Sequence, residues 1–142
     1  MYFINIPQIF AEKHELAQEP YVLISITDKE SDRIDHNFPN CKDILRLYFY
    51  DLEERIEGYN YNIFTKEMAA LIREFVEKHK QLKFVFVQCH AGISRSAGIA
   101  AALNKFYNGK YKFYFDKYLP NKLCYRLMLE ELQFYSSKKE KE

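Results

Sequence analysis

The sequence predicts an α/β fold: a central, mostly parallel sheet flanked by helices on both faces. Two observations carry that expectation. Short runs rich in β-branched and aromatic residues alternate with stretches whose apolar residues recur at helical spacing. The 142 residues also show no internal repeat, no Pro/Gly/Ser-rich linker and no break in composition, so they read as one domain. Strands separated by helices pair in parallel, because each crossover helix packs back onto the sheet.

The elements follow in order. Residues 21–27 (Tyr-Val-Leu-Ile-Ser-Ile-Thr) are an apolar, β-branched run and predict a strand, followed by a polar loop over 28–40. Residues 44–49 predict a second strand, and the charged, turn-rich stretch 50–62 a loop. Thr65 is placed to N-cap a helix in which Met68, Leu71, Ile72, Phe75, Val76 and His79 share a face. Residues 83–88 (Lys-Phe-Val-Phe-Val-Gln) predict a third strand. The stretch 96–107, apolar on nearly every face and stopped by Asn108-Gly109, predicts a buried helix. A last helix is expected after Pro120-Asn121, carrying Leu123, Leu127, Leu132 and Phe134. The domain is expected to span 1–135, with the mixed-charge segment 136–142 as a fraying tail.

Composition narrows the function. Basic and acidic side chains number 21 and 20, a formal net charge of +1, which argues against a nucleic-acid binder. The 12 tyrosines and 12 phenylalanines do not make a base-stacking platform without a basic groove. No apolar run approaches the ~18 residues of a membrane span. The start, Met1-Tyr2-Phe3-Ile4-Asn5-Ile6-Pro7, lacks the basic and apolar regions of a secretory leader. Three cysteines are too few, and odd in number, for a disulfide-stapled fold. A soluble, cytoplasmic, monomeric protein with reduced cysteines is expected.

The chemistry concentrates at the end of the third strand, in Val87-Gln88-Cys89-His90-Ala91-Gly92-Ile93-Ser94-Arg95-Ser96-Ala97-Gly98. Ligands of parallel sheets bind beyond the carboxyl ends of the strands. A Cys-x5-Arg spacing alone is weak. Here a strand precedes it, Gly92 lies inside it, a hydroxyl residue follows the arginine, and a helix begins behind it. A thiol attacks phosphorus only as the thiolate, and loop amides with a helix N-terminus favour an anion there. Gly92 lets the backbone approach a ligand. Arg95 can grip two phosphate oxygens through its planar fork. Ser96 can donate to the Cys89 sulfur and ease its departure. Cys41 and Cys124, in apolar runs, read as packing residues. Asn121 reads as a helix cap. His90 sits directly beside Cys89, so the two do not converge on one ion, and no other Cys/His grouping has zinc-like spacing. No metal or other cofactor is expected.

The stretch Cys89-His90-Ala91-Gly92-Ile93-Ser94-Arg95-Ser96 resembles the signature loop of the cysteine-dependent protein tyrosine phosphatase superfamily, and most closely its dual-specificity branch. The run Leu23-Ile24-Ser25-Ile26 is similar to that branch's early core strand, and Pro120-Asn121 to a Pro-Asn element before its final helix. The resemblance extends from about residue 21 to 135. It implies a dual-specificity-like fold, Cys89 as nucleophile, Arg95 as phosphate clamp, Ser96 as sulfur partner, and a substrate cradle of His90, Ala91, Gly92, Ile93, Ser94 and Arg95. Phe49-Tyr50-Asp51 resembles the acid-bearing segment, which makes Asp51 the general acid and base, with Glu53, Glu54 and Asp28 in reserve.

One position departs from the family pattern: Gln88 stands where a histidine usually precedes the nucleophile. Glutamine keeps hydrogen bonds but supplies no positive charge, which predicts slower catalysis rather than a dead enzyme. The implied activity is hydrolysis of phosphotyrosine, with phosphoserine and phosphothreonine also open, through a phosphocysteine. The implied partner is a phosphorylated protein or peptide. No lysine stands beside Arg95, which disfavours phosphoinositides and RNA 5′-phosphates. The alternatives are a phosphate-binding pseudophosphatase that captures phosphorylated partners without turnover, and a thiolate serving other oxyanions.

Overall fold

All four strands run parallel in the computed structural model, which describes residues 1–141. In chain order the elements are β1 (Tyr2–Pro7), α1 (Gln8–Lys13), β2 (Tyr21–Thr27), a 3-10 turn (Glu30–Asp32) and β3 (Cys41–Tyr48). They continue with α2 (Lys66–Lys78), β4 (Phe84–Cys89), α3 (Arg95–Asn108), α4 (Lys112–Lys117) and α5 (Lys122–Glu140). The sheet order is β1-β4-β2-β3, so β4 and β2 occupy the centre. Both are continuous apolar runs, as strands covered on two faces must be.

Alternation along those strands sorts the core into two layers. Val22, Ile24 and Ile26 of β2 and Val85, Val87 and Cys89 of β4 face the main core, packed with α2, α3 and α5. Tyr21, Leu23 and Phe86 face the other side, where Ile6, Ala11 and Ile34 close a smaller cluster. The sheet is therefore covered unequally. Three long helices lie on one face, and only the six-residue α1 and loop segments lie on the other.

The expected elements are present with small shifts at their ends. Thr65 caps α2, accepting from the Met68 amide at 3.2 Å, and Asn121 caps α5, accepting from the Cys124 amide at 2.9 Å. Three elements went unread. β1 is an edge strand with Tyr2 and Ile4 turned to solvent, so it shows no apolar run. α1 and α4 have six residues each and no capping side chain, which leaves little periodicity or punctuation to detect. The charged segment read as a fraying tail continues α5 through Glu140. Lys138 and Lys139 stand in its last turn, where cations suit the helix dipole. Glu142 lies outside the described residues.

Candidate active site

Parallel register brings the carboxyl ends of β1, β2, β3 and β4 to one edge, and the segment 89–96 sits there. Cys89 ends β4, only 2% exposed, and α3 begins six residues later at Arg95. The first turn of α3 places Ser96 Oγ 3.0 Å from Cys89 Sγ.

The five residues between are held by their carbonyls. His90 O accepts from the Gln8 amide at 3.1 Å, Gly92 O from Asn5 Nδ2 at 2.7 Å, and Ile93 O from the Leu119 amide at 3.1 Å. Ser94 O accepts from the amides of Gly98 and Asn121, each at 2.9 Å. Every one of these donors lies outside the loop, and no amide of residues 90–94 donates to another group among the described residues. Carbonyls tied outward and amides left free make a concave nest for an anion.

Gly92 makes this curvature possible. Its φ is +73°, and a Cβ there would lie 2.5 Å from the Pro7 nitrogen and 2.6 Å from the Ile6 carbonyl carbon. Gly98 plays the matching part behind the loop: a Cβ would lie 2.5 Å from the Asn121 carbonyl oxygen, so its absence admits the start of α5.

Arg95 is 6% exposed. Its Nη1 donates to Asp28 Oδ1 and to the Phe49 carbonyl, each at 2.7 Å. The guanidinium is thereby fixed from the ends of β2 and β3. Nε and Nη2 have no partner among the described residues and form the free edge of the fork.

Asp51 is exposed, and its Oδ1 accepts from Ser94 Oγ at 2.7 Å and Asn121 Nδ2 at 2.9 Å. These bonds bring the carboxylate to the pocket at Cys89, a cavity of about 310 Å³ shared by Cys89, Arg95, His90, Ala91, Ile93, Ser94 and Leu119. Oδ2 has no partner among the described residues.

The structure thus gathers Cys89, Arg95, Asp51, His90, Ala91, Ile93 and Ser94 around one pocket, with Ser96 beneath the sulfur and Gly92 turned onto β1. The reserve carboxylates sit elsewhere. Glu53 accepts from the Lys122 amide at 2.6 Å, Glu54 lines a groove along α5, and Asp28 holds the arginine. Asn121 is more than a cap, since its amide nitrogen also fixes Asp51 and the Leu52 carbonyl at 3.2 Å. Asn5, Leu119 and the Phe49 carbonyl escaped the sequence reading. Asn5 stands on the unread edge strand, and a backbone carbonyl leaves no signature in a sequence.

Gln88 is fully buried and directly opposite Ser25 in the β2–β4 register. Its Oε1 accepts from Ser25 Oγ, and its Nε2 donates to the Ile26 carbonyl at 3.2 Å. The base of the loop is therefore braced by neutral hydrogen bonds. The other two cysteines do not line this pocket. Burial pushes the Cys41 thiol up to about 11 and holds that of Cys124 well above its ordinary value.

No protein-family model matches the chain, and no curated protein matches it by sequence. Solved structures do. The chain is similar to the human tyrosine phosphatase-like serine/threonine/tyrosine-interacting protein at 22% identity and a TM-score of 0.60, covering 96% of this chain and 92% of that one. It is similar to PTPMT1 in complex with PI(5)P at 15% identity and a TM-score of 0.61, covering 97% and 94%. It is also similar to a mouse putative dual specificity phosphatase complexed with zinc tungstate, at 14% identity and a TM-score of 0.57, covering 84% and 74%. With its all-parallel sheet and the loop joining β4 to α3, the chain shares the fold of these phosphatase and phosphatase-like proteins.

Proposed function

We propose that this chain hydrolyses phosphomonoesters through a phosphocysteine, with phosphotyrosine in proteins or peptides as the leading substrate and phosphoserine or phosphothreonine as further ones. The observation that carries this reading is the placement of a buried thiol under a ring of free amides, beside an arginine with two unpartnered nitrogens.

The steps follow from that placement. Phosphate oxygens bind the amides of 90–94 and the Nε and Nη2 of Arg95, which spread over the equatorial charge of the transition state. Cys89 Sγ attacks phosphorus as the ester P–O bond breaks, and Asp51 gives its proton to the leaving oxygen. Asp51 then takes a proton from water, whose oxygen attacks phosphorus. The P–S bond breaks, and the departing thiolate accepts the Ser96 hydroxyl at the 3.0 Å contact. Oδ2 is the oxygen suited to this traffic, because Oδ1 is already occupied by Ser94 and Asn121. A nucleophilic thiolate requires a reducing compartment, which supports a cytoplasmic location. No helix among the described residues is long and apolar enough to cross a membrane.

A second reading is a pseudophosphatase that holds phosphorylated partners without turnover. Two observations favour it: the uncharged brace at Gln88, and similarity to a protein whose name describes it as phosphatase-like and interacting. Hydrolysis of a chromogenic aryl phosphate by the wild type and by Cys89→Ser decides between them. Cys89-dependent, vanadate-sensitive release supports the enzyme, since vanadate mimics the trigonal bipyramidal transition state. Phosphopeptide binding without Cys89-dependent release supports the capture protein.

A further inference from the structure

A second cavity, of about 330 Å³, shares Arg95 and His90 with the catalytic pocket and is otherwise walled by Gln8, Thr27, Asp28 and Asp32. Its hydrogen-bond inventory is lopsided. Thr27 Oγ1 donates to the Lys29 carbonyl at 2.9 Å, and Gln8 Nε2 donates to Glu12 Oε1 at 2.8 Å. Asp28 Oδ2 and both carboxylate oxygens of Asp32 have no partner among the described residues. Arg95, nine-tenths buried, keeps Nε and Nη2 unpartnered at the boundary of the two cavities. The wall therefore offers mainly acceptors, and the donors at its inner end are the ones a bound phosphate takes.

Occupying the phosphate site changes the balance of charge. A phosphate dianion on Arg95 offsets the guanidinium, and the neighbouring cavity is left with two carboxylates and His90 as its titratable groups. Lys29, Glu30 and Arg33 lie on the same segment but are exposed and do not line it. We propose that this cavity is a subsite for a cationic side chain, a lysine or arginine of the substrate peptide adjacent to the phosphorylated residue. The same carboxylates oppose a second phosphate, so multiply phosphorylated ligands are disfavoured. This rests on the phosphatase reading of the Cys89 pocket and adds to it the sign of the flanking residue.

The test uses two phosphotyrosine hexapeptides that differ only in carrying Arg or Glu on either side of the phosphotyrosine. Affinity is read by fluorescence anisotropy on Cys89→Ser, and kcat/KM on the wild type. The Arg peptide is expected to win by about fivefold in both, the scale of ion pairs at a partly exposed rim. Added Asp32→Asn should cut the ratio to about twofold or less, Asp32→Lys should invert it, and 0.5 M salt, at ~4 Å screening, should flatten it. Equal values for the two peptides, a preference for Glu, a ratio untouched by Asp32→Asn, or failure of both peptides to bind would each overturn the subsite. If the wild type hydrolyses neither peptide, turnover is refuted, while the affinity ratio still decides the subsite.

Discussion

The two loops that meet at the pocket are built in opposite ways. Residues 90–94 join a central strand to a buried helix, and four of their five carbonyls are tied to neighbouring elements. Residues 50–62 are largely exposed, closed by a Tyr50 amide bond to the Asn62 carbonyl at 2.8 Å and by stacking of Tyr59 on Tyr61 at 5.6 Å. The loop that carries the proposed nucleophile is held mainly through its carbonyls. The proposed clamp Arg95 is held by Asp28 Oδ1 and the Phe49 carbonyl, whereas the proposed acid Asp51 hangs on two side-chain bonds from Ser94 and Asn121. Groups that must hold a transferring phosphoryl in line tolerate little displacement. A proton donor can work from a softer mount, so damage to the two loops should look different.

The largest expected effect is in the fixed loop. Cys89→Ser should lower kcat for an aryl phosphate by about 10³-fold or more while keeping phosphate-analogue binding. Steady-state kinetics beside titration with a non-hydrolysable phosphonate analogue checks both halves of that statement.

Asp51→Asn comes next. It should cost about 10²-fold in kcat and leave vanadate affinity within about twofold, because Asp51 serves the apical oxygen, leaving group or water, and not the equatorial ones. An equal loss of binding would mean that the two loops are one rigid unit.

Gly92→Ala should be felt in stability as well as rate. Its φ of +73° and the 2.5 Å approach to Pro7 predict a loss of more than about 1 kcal/mol, read by thermal denaturation. Asn121→Ala should cost about 1 kcal/mol as a lost cap and lower kcat a few-fold through Asp51, with KM nearly unchanged. Replacement by Ser, which keeps a cap acceptor and loses the amide donor to Asp51, should restore much of the stability but not kcat.

The smallest effect separates the three thiols. At pH 7, iodoacetate should label Cys89 well before Cys41, which burial keeps protonated to about pH 11, and before Cys124. Mass spectrometry of the labelled peptides reads the order.

The same contrast explains what could be read from the sequence. β2, β4 and α3 were legible because burial on all sides writes continuous apolar runs, and the strand–glycine–helix setting of Cys89 and Arg95 was legible with them. β1 was not, because an edge strand at the surface mixes Tyr2 and Ile4 outward with Phe3 and Asn5 inward. Its loss hid Asn5, which orients the Gly92 carbonyl. Asp28 was weighed as a proton donor because it follows a strand. Its 2.7 Å bond to Arg95, which pairs residues 67 apart in sequence, appears only in the fold. Asn121 was read for its cap, which spacing reveals, and not for its bond to Asp51, 70 residues away.

The central claim is covalent transfer of phosphoryl to Cys89. Mixing the wild type with an aryl phosphate, quenching in acid within one turnover and mapping the digest by mass spectrometry tests it directly. The account predicts one added phosphoryl group on the peptide carrying Cys89, absent from Cys89→Ser and more persistent in Asp51→Asn when a good leaving group is used. Turnover with no phosphorylated Cys89 peptide, or a phosphoryl group on another residue, would contradict it.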